Sequence, residues 1–259
     1  MPAFIAFDSE KGGTGKSFAA RSCVAWCLER KVPVAVIDAD EKNPDVARWL
    51  QNHNRIHVER LTGSLTLRNE GGWGAISEIA ERMLPEIGKR GAIILNCPAN
   101  ASSPFPDDRL TMFQALQAVG FATTLTWVLD TGDDVVNLLG DGFGYRRGKS
   151  AGHPTGDPVN KYLAGRVVLR NLIWGNHDDF RFWERSAMRK RFLQVGREDD
   201  FPRLWPKLAE IVKMSGGPNA LRQHDPKVMG KYDFFTLVPW VLAADRLWDG
   251  LRPTLHLAA

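Results

Sequence analysis

The chain has 259 residues, 44% of them hydrophobic and 25% charged, with a formal net charge of +4. These values are near globular averages, which excludes a fibrous or disordered chain, and no apolar run approaches the roughly 18 to 20 residues of a membrane-spanning helix. The length suits one α/β domain over residues 1–259 with a substantial core, and the charge permits an acidic partner such as nucleic acid without demanding one.

The chain opens on an apolar run, Ala3 to Phe7, that reads as a buried strand. It leads straight into a glycine-rich turn, leaving no room for a signal peptide, so the cytoplasm is the expected location. Lys16 and Ser17 then open a helical pattern, Phe18 to Arg30. Strand, glycine loop and helix form the geometry that binds a phosphate chain. Gly12, Gly13 and Gly15 let backbone N–H groups approach a ligand, and the new helix presents its positive end. Thr14 and Phe18 complete the nucleotide-binding set. Lys16 supplies a mobile cation for the β- and γ-phosphates, and the Ser17 hydroxyl can ligate Mg²⁺. The general P-loop pattern wants a glycine where Glu10 stands; here the run is Lys-Gly-Gly-Thr-Gly-Lys-Ser, with a second lysine at Lys11. This resembles the deviant Walker A motif of the ParA/MinD family of dimerising ATPases. The resemblance implies that Lys11 crosses a dimer interface to the partner's nucleotide, and that ATP and Mg²⁺ are the cofactors. It also implies the P-loop fold of the deviant Walker A subclass: a mostly parallel, twisted sheet with helices on both faces.

Val32 to Ile37 reads as a second buried strand, ending Asp38-Ala39-Asp40. Carboxylates at a strand's carboxyl end lie where ligands bind in open parallel sheets. In the family this resembles, the second aspartate positions the attacking water, so Asp40 is the candidate for that role and Asp38 for Mg²⁺ support. The bland alternative is a pair of turn residues capping the next helix. Ile56 and Val58 mark a short strand, and Trp73 to Ile87 carries apolar residues at helical spacing. Ala92 to Leu95 is the third strong strand. Asn96 follows where a P-loop ATPase normally has the Walker B aspartate, which holds a water on Mg²⁺. An amide can accept a hydrogen bond from such a water but brings no charge, which points to a weak or switch-like ATPase.

Pro106 to Gly120 reads as a helix, Thr123 to Leu129 as a strand, and a helix with Val135, Val136, Leu138 and Leu139 follows. Residues 140–160 hold six glycines and two prolines and read as a flexible excursion, either a lid or an ordinary insertion. Arg166 to Asn171 is another buried strand. The family resemblance implies that Asn171 reads the adenine edge, and the run through Trp174-Gly175 is similar to the TraL branch of plasmid conjugation operons.

Asp178 to Phe192 is expected as one helix with Arg181, Arg185 and Arg189 on one face, enlarged by Lys190, Arg191 and Arg197. Such a stripe is either a solvated face or a sequence-independent phosphate-binding surface. Pro202 to Met214 and Tyr232 to Leu251 read as helices. Acidic residues Asp245 and Asp249 on the last one argue against a basic membrane-gripping helix. Cys23, Cys27 and Cys97 form an odd set without a Cys-x-x-Cys pair, expected as reduced core residues.

The leading expectation is an ATP-binding, ATP-dependent homodimer and slow ATPase. By resemblance it acts in partition, positioning or conjugative transfer, with non-specific DNA or a DNA-bound adaptor as partner. Two alternatives stand beside it: a non-hydrolysing nucleotide-dependent scaffold, favoured by Asn96, and a metabolic P-loop enzyme such as a ligase or an iron-protein reductase.

Overall fold

A computed structural model describes residues 1–9, 11–67, 69–99, 101, 106–142 and 159–257. Most of the glycine-rich excursion expected over 140–160 lies outside the described residues.

The elements in chain order are β1 (Ala3–Asp8), α1 (Lys16–Glu29), β2 (Val34–Asp38), α2 (Asp45–Leu50), β3 (Val58–Arg60), α3 (Gly72–Ile87), β4 (Ala92–Asn96), α4 (Pro106–Val119), β5 (Ala122–Leu129), α5 (Asp134–Gly142), β6 (Gly165–Asn171), α6 (Arg181–Glu184), α7 (Ala187–Phe192), β7 (Arg197–Phe201), α8 (Pro206–Met214) and α9 (Lys231–Leu251). The strands form one seven-stranded sheet in the order β3-β2-β4-β1-β5-β6-β7. Every pairing is parallel. The expected architecture is therefore the observed one.

A parallel sheet is covered on both faces, so its strands read as near-continuous apolar runs. β1, Ala-Phe-Ile-Ala-Phe-Asp, is buried at every position. Alternate side chains feed two cores. Ala3, Ile5 and Phe7 pack with α1, α8 and α9, whereas Phe4 and Ala6 pack with α3 and α4. Six tryptophans are among the largest fully buried side chains, so most of this aromatic content is core. Trp248 of α9 meets Phe7 of β1 edge-to-face at 5.9 Å between centroids, which docks the last helix on the central strand. Among the described residues no helix is long and apolar enough to cross a membrane.

Two readings of the sequence are corrected. Residues 178–192 are not one helix: α6 ends at Glu184, and Ser186 starts a new helix by accepting the Arg189 N–H on its hydroxyl at 3.0 Å. Arg181, Arg185 and Arg189 therefore do not form a stripe on a continuous helix. Arg197 is not part of a helical patch either. It begins β7, an edge strand parallel to β6. The sequence Arg-Glu-Asp-Asp-Phe has no apolar alternation; its half-buried Glu198 and Asp200 pair with Arg189 and Arg170 instead.

Candidate nucleotide site

β1 sits where chain order reverses across the sheet, with β4 on one side and β5 on the other. Ligands of open α/β sheets bind beyond the carboxyl ends of strands at such a point. The loop after β1 carries the glycine motif to that place. Gly13 (φ 80°) and Gly15 (φ 101°) take left-handed backbone conformations that other residues adopt only with strain. Gly15 is also fixed by space, since a Cβ there would lie 2.2 Å from the Asn171 amide nitrogen. No side chain caps the start of α1, so its first-turn N–H groups are presented to a ligand. Lys16 is buried, and its ammonium folds back to donate to the Lys11 carbonyl at 2.9 Å. Ser17 follows in the first turn of α1, and Thr14 has a buried hydroxyl without a partner.

Lys11 reaches across the loop to the end of β5. Its ammonium lies 2.9 Å from the Asp130 carboxylate and 3.3 Å from Asp134. The hydrogen bond from Lys11 to Asp130 raises the lysine pKa.

The Asp-x-Asp pair divides its work. Asp38 is fully buried, and both its oxygens are occupied. One accepts from the Asn96 amide at 2.9 Å and the Asp40 N–H at 3.3 Å; the other accepts the N–H groups of Val46 at 3.0 Å and Ala47 at 2.9 Å. Burial pushes its carboxyl pKa up, against the lowering effect of these donors. Asp38 therefore anchors the start of α2, with both carboxylate oxygens already accepting hydrogen bonds. Asp40 is half-buried, with one oxygen accepting the Asn43 N–H at 3.1 Å. It remains beside the site. Asn96 pairs in register with both Asp38 and Phe7. Its amide donates to Asp38, and its carbonyl oxygen is buried without a partner.

That unpartnered oxygen tests whether Mg²⁺ fits. Among the described residues no group of three or more His, Cys, Asp or Glu side chains could hold a metal ion alone. A divalent ion here would come with phosphate oxygens, the Ser17 hydroxyl and a water accepted by Asn96. This is how Mg²⁺ is commonly held, through few protein ligands. The donor set fits.

Asn171 stands at the site in an unexpected role. Its amide donates to the Thr14 carbonyl at 2.7 Å, and its oxygen accepts the Ile173 N–H at 3.2 Å. It braces the loop from the side. A base reaching it competes with the Thr14 bond. Beside it opens a cavity of about 440 Å³, mostly apolar, lined by Phe18, Ile173, Trp174, Pro202 and Leu204 among others. Pro202 and Leu204 follow β7, a strand the sequence did not reveal, so nothing in the pattern marked them as pocket walls.

Two members of the expected basic stripe, Arg189 and Arg197, are engaged in internal pairs. Arg189 grips Glu198 with two nitrogens and reaches Glu184 at 3.2 Å. Buried Arg170 bonds Glu184, Asp200 and His177. These bonds hold α6 and α7 against β6 and β7. Arg181, Arg185, Lys190 and Arg191 are exposed, with Arg181 over the Phe182 ring at 5.4 Å. Cys23, Cys27 and Cys97 are all buried, and none of them is in a disulfide. Burial and the Cys27 contact raise the Cys23 pKa well above the usual thiol range.

No protein-family model matches the chain, and no curated protein matches it by sequence. Solved structures do resemble it. An ATP complex of a McdA variant from Cyanothece superposes with a TM-score of 0.54 at 11% identity, covering 100% of this chain and 98% of that one. MinD, a cell division protein of Aquifex aeolicus, gives 0.53 at 15% identity, covering 96% and 97%. A ParA family ATPase from Chlorobium tepidum gives 0.50 at 14%, covering 93% and 98%. The fold is thus the one shared by MinD, McdA and ParA-family ATPases.

Proposed function

We propose that this chain binds ATP with Mg²⁺ at the loop after β1, dimerises around it and hydrolyses it slowly, acting as a nucleotide-dependent switch. The carrying observation is the phosphate cradle: Gly13 and Gly15 in left-handed geometry, an uncapped helix start, and Lys16 and Lys11 at its two ends. A McdA variant of the same fold is solved with ATP, which supports that choice of nucleotide.

In this reading the backbone N–H groups of Gly12 to Ser17 bind the phosphate chain, and Lys16 leaves the Lys11 carbonyl for the terminal phosphates. Ser17 and, through a water, Asn96 hold Mg²⁺, which when bound neutralises charge on the β- and γ-phosphates. Asp40 orients the attacking water from the loop that Asp38 anchors. Asn171 holds the loop closed from the side, and the apolar cavity beyond it takes the base. Lys11 leaves Asp130 and Asp134 to reach the second copy's nucleotide. By resemblance the task is partition, positioning or conjugative transfer of DNA or another large cargo. The exposed cations Arg181, Arg185, Lys190 and Arg191 supply a sequence-independent contact with DNA or with a DNA-bound adaptor.

A second reading, a scaffold that binds ATP without turnover, is favoured by one observation: the Walker B position is an amide, and its neighbour Asp38 is fully engaged. Titration of a fluorescent ATP analogue with parallel phosphate release tests both. Binding that Lys16→Ala weakens by about 10- to 100-fold, the loss of one or two charge-assisted hydrogen bonds, supports the site. Equal affinity in Lys16→Ala refutes it. Tight binding with no phosphate release selects the scaffold.

A further inference from the structure

A fully buried ion pair lies under the phosphate loop. Asp8, the last residue of β1, has no exposed surface. One of its oxygens lies 2.9 Å from the Arg109 guanidinium, and the other accepts the N–H of Ser9, the first residue of the loop, at 2.7 Å. Arg109 is in the first turn of α4 and is itself buried. Its guanidinium lies over the ring of Trp73 from α3 at 5.2 Å and of Phe113 from α4 at 5.7 Å. The neighbouring Asp108 accepts the Gly71 N–H at 2.9 Å, which ties the starts of α3 and α4 together.

Burying two charges costs desolvation that their attraction only partly offsets, and apolar residues of similar volume often do as well for stability. Stability alone is a poor reason for this pair. Its connections offer a better one. From Asp8 the chain of contacts runs through Ser9, whose hydroxyl approaches the Lys11 carbonyl at 3.4 Å, to the carbonyl that also receives the Lys16 ammonium at 2.9 Å. On the other side of the loop, a Cβ at Gly12 would meet Ala99, just beyond β4, at 3.8 Å. The direction in which the loop leaves β1 is thus fixed by a side chain of α4.

We propose that Asp8 and Arg109 are positioning residues for the phosphate grip. They set where the loop amides and Lys16 stand and make that placement depend on the seating of α4. This rests on the nucleotide reading above. Neither residue touches nucleotide; both act through Ser9 and the Lys11 carbonyl.

The test separates affinity from stability. Asp8→Asn, Arg109→Met and the double variant are compared with wild type by thermal melting and by fluorescent-ATP titration in Mg²⁺. Each single variant is expected to melt lower, because it leaves an unpaired buried group. The double variant is expected to recover to within about 5 °C of wild type, yet to bind ATP about tenfold more weakly, as small misplacements of binding groups do. Arg109→Lys, which keeps the charge but not the flat stacking, serves if the double variant does not fold; it is expected to melt lower but stay folded at the assay temperature, and to lose several-fold in affinity. Asp249→Asn, which breaks an ion pair between α9 and Arg30 elsewhere, is the control and should leave affinity unchanged. Wild-type affinity in the double variant, or in Arg109→Lys where that is the variant that folds, overturns the proposal. Failure of the wild type to bind ATP overturns the nucleotide reading first, and this role with it.

Discussion

Lys11 and Asp130 are joined within one chain, ammonium to carboxylate at 2.9 Å, with Asp134 adding a contact at 3.3 Å. A lysine held this way is unavailable to a second subunit until the pair opens. Asp130→Asn is therefore expected to favour the ATP-bound dimer. The pair is partly solvated, so the gain is modest, up to about fivefold in the dimerisation constant. Sedimentation velocity across a protein dilution series measures it. A weaker dimer in the variant would mean that Asp130 serves the dimer rather than opposing it.

Asn96 and Asp38 face each other across β4 and β2, both with no exposed surface. Restoring an aspartate with Asn96→Asp would put two buried carboxylates in contact, and one must take a proton. The expected result is not a faster enzyme but a less stable one, by about 3 kcal/mol or more at pH 8. The sign follows from the raised pKa of such a pair. The folded state binds the extra proton, so the loss is greatest at high pH and eases as pH falls through the pair's raised pKa. Urea unfolding at several pH values reads this directly. An equally stable variant with faster phosphate release would show that Asn96 only slows turnover.

These two sites also show what could be read from the sequence. The turn that carries Gly12 to Ser17 was legible because a strand, glycines and a helix start follow one another in one continuous run. The interior strands were legible because a doubly covered sheet demands continuous apolar runs. For Asp38, capping the next helix was the alternative the sequence offered, but its four N–H donors come from β4, the following loop and the start of α2, and only the fold brings them together. The same holds for Asn171, whose partner Thr14 is 157 positions away. The four-residue spacing of Arg181, Arg185 and Arg189 suggested a shared face, but the Ser186 hydroxyl starts a new helix between them.

That break changes how the basic surface is tested. Arg185→Glu with Lys190→Glu is expected to weaken DNA binding and to reduce its salt slope by about two, one for each phosphate that is no longer neutralised. Arg189→Glu is expected to destabilise the fold instead, because it sets a carboxylate against Glu198 and Glu184. DNA affinity by fluorescence anisotropy at several salt concentrations, with melting of each variant, separates the two. Unchanged DNA affinity in the first variant would leave α6 and α7 as a solvated face.

His57 offers a pH reading near neutrality. The hydrogen bond to Glu86 raises its pKa above the ordinary value, helped by Glu59. The charged imidazole ties β3 to α3. Its contribution to stability is fully present below about pH 6.5 and is lost as pH rises through the raised pKa. Both groups are partly exposed, so the contribution stays below about 1 kcal/mol. Titration of the imidazole by NMR should give an elevated pKa that falls in Glu86→Gln. A pKa unmoved by that substitution would remove the pairing.

The central claim is that ATP joins two copies of this chain through the loop after β1. Light scattering with and without ATP and Mg²⁺, with phosphate release followed on the same sample, tests it most directly. The account predicts a monomer that becomes a dimer only with ATP, slow phosphate release, and a Lys11→Ala variant that binds ATP but stays monomeric. A wild-type protein that remains monomeric at saturating ATP, or a Lys11→Ala variant that dimerises normally, would contradict it.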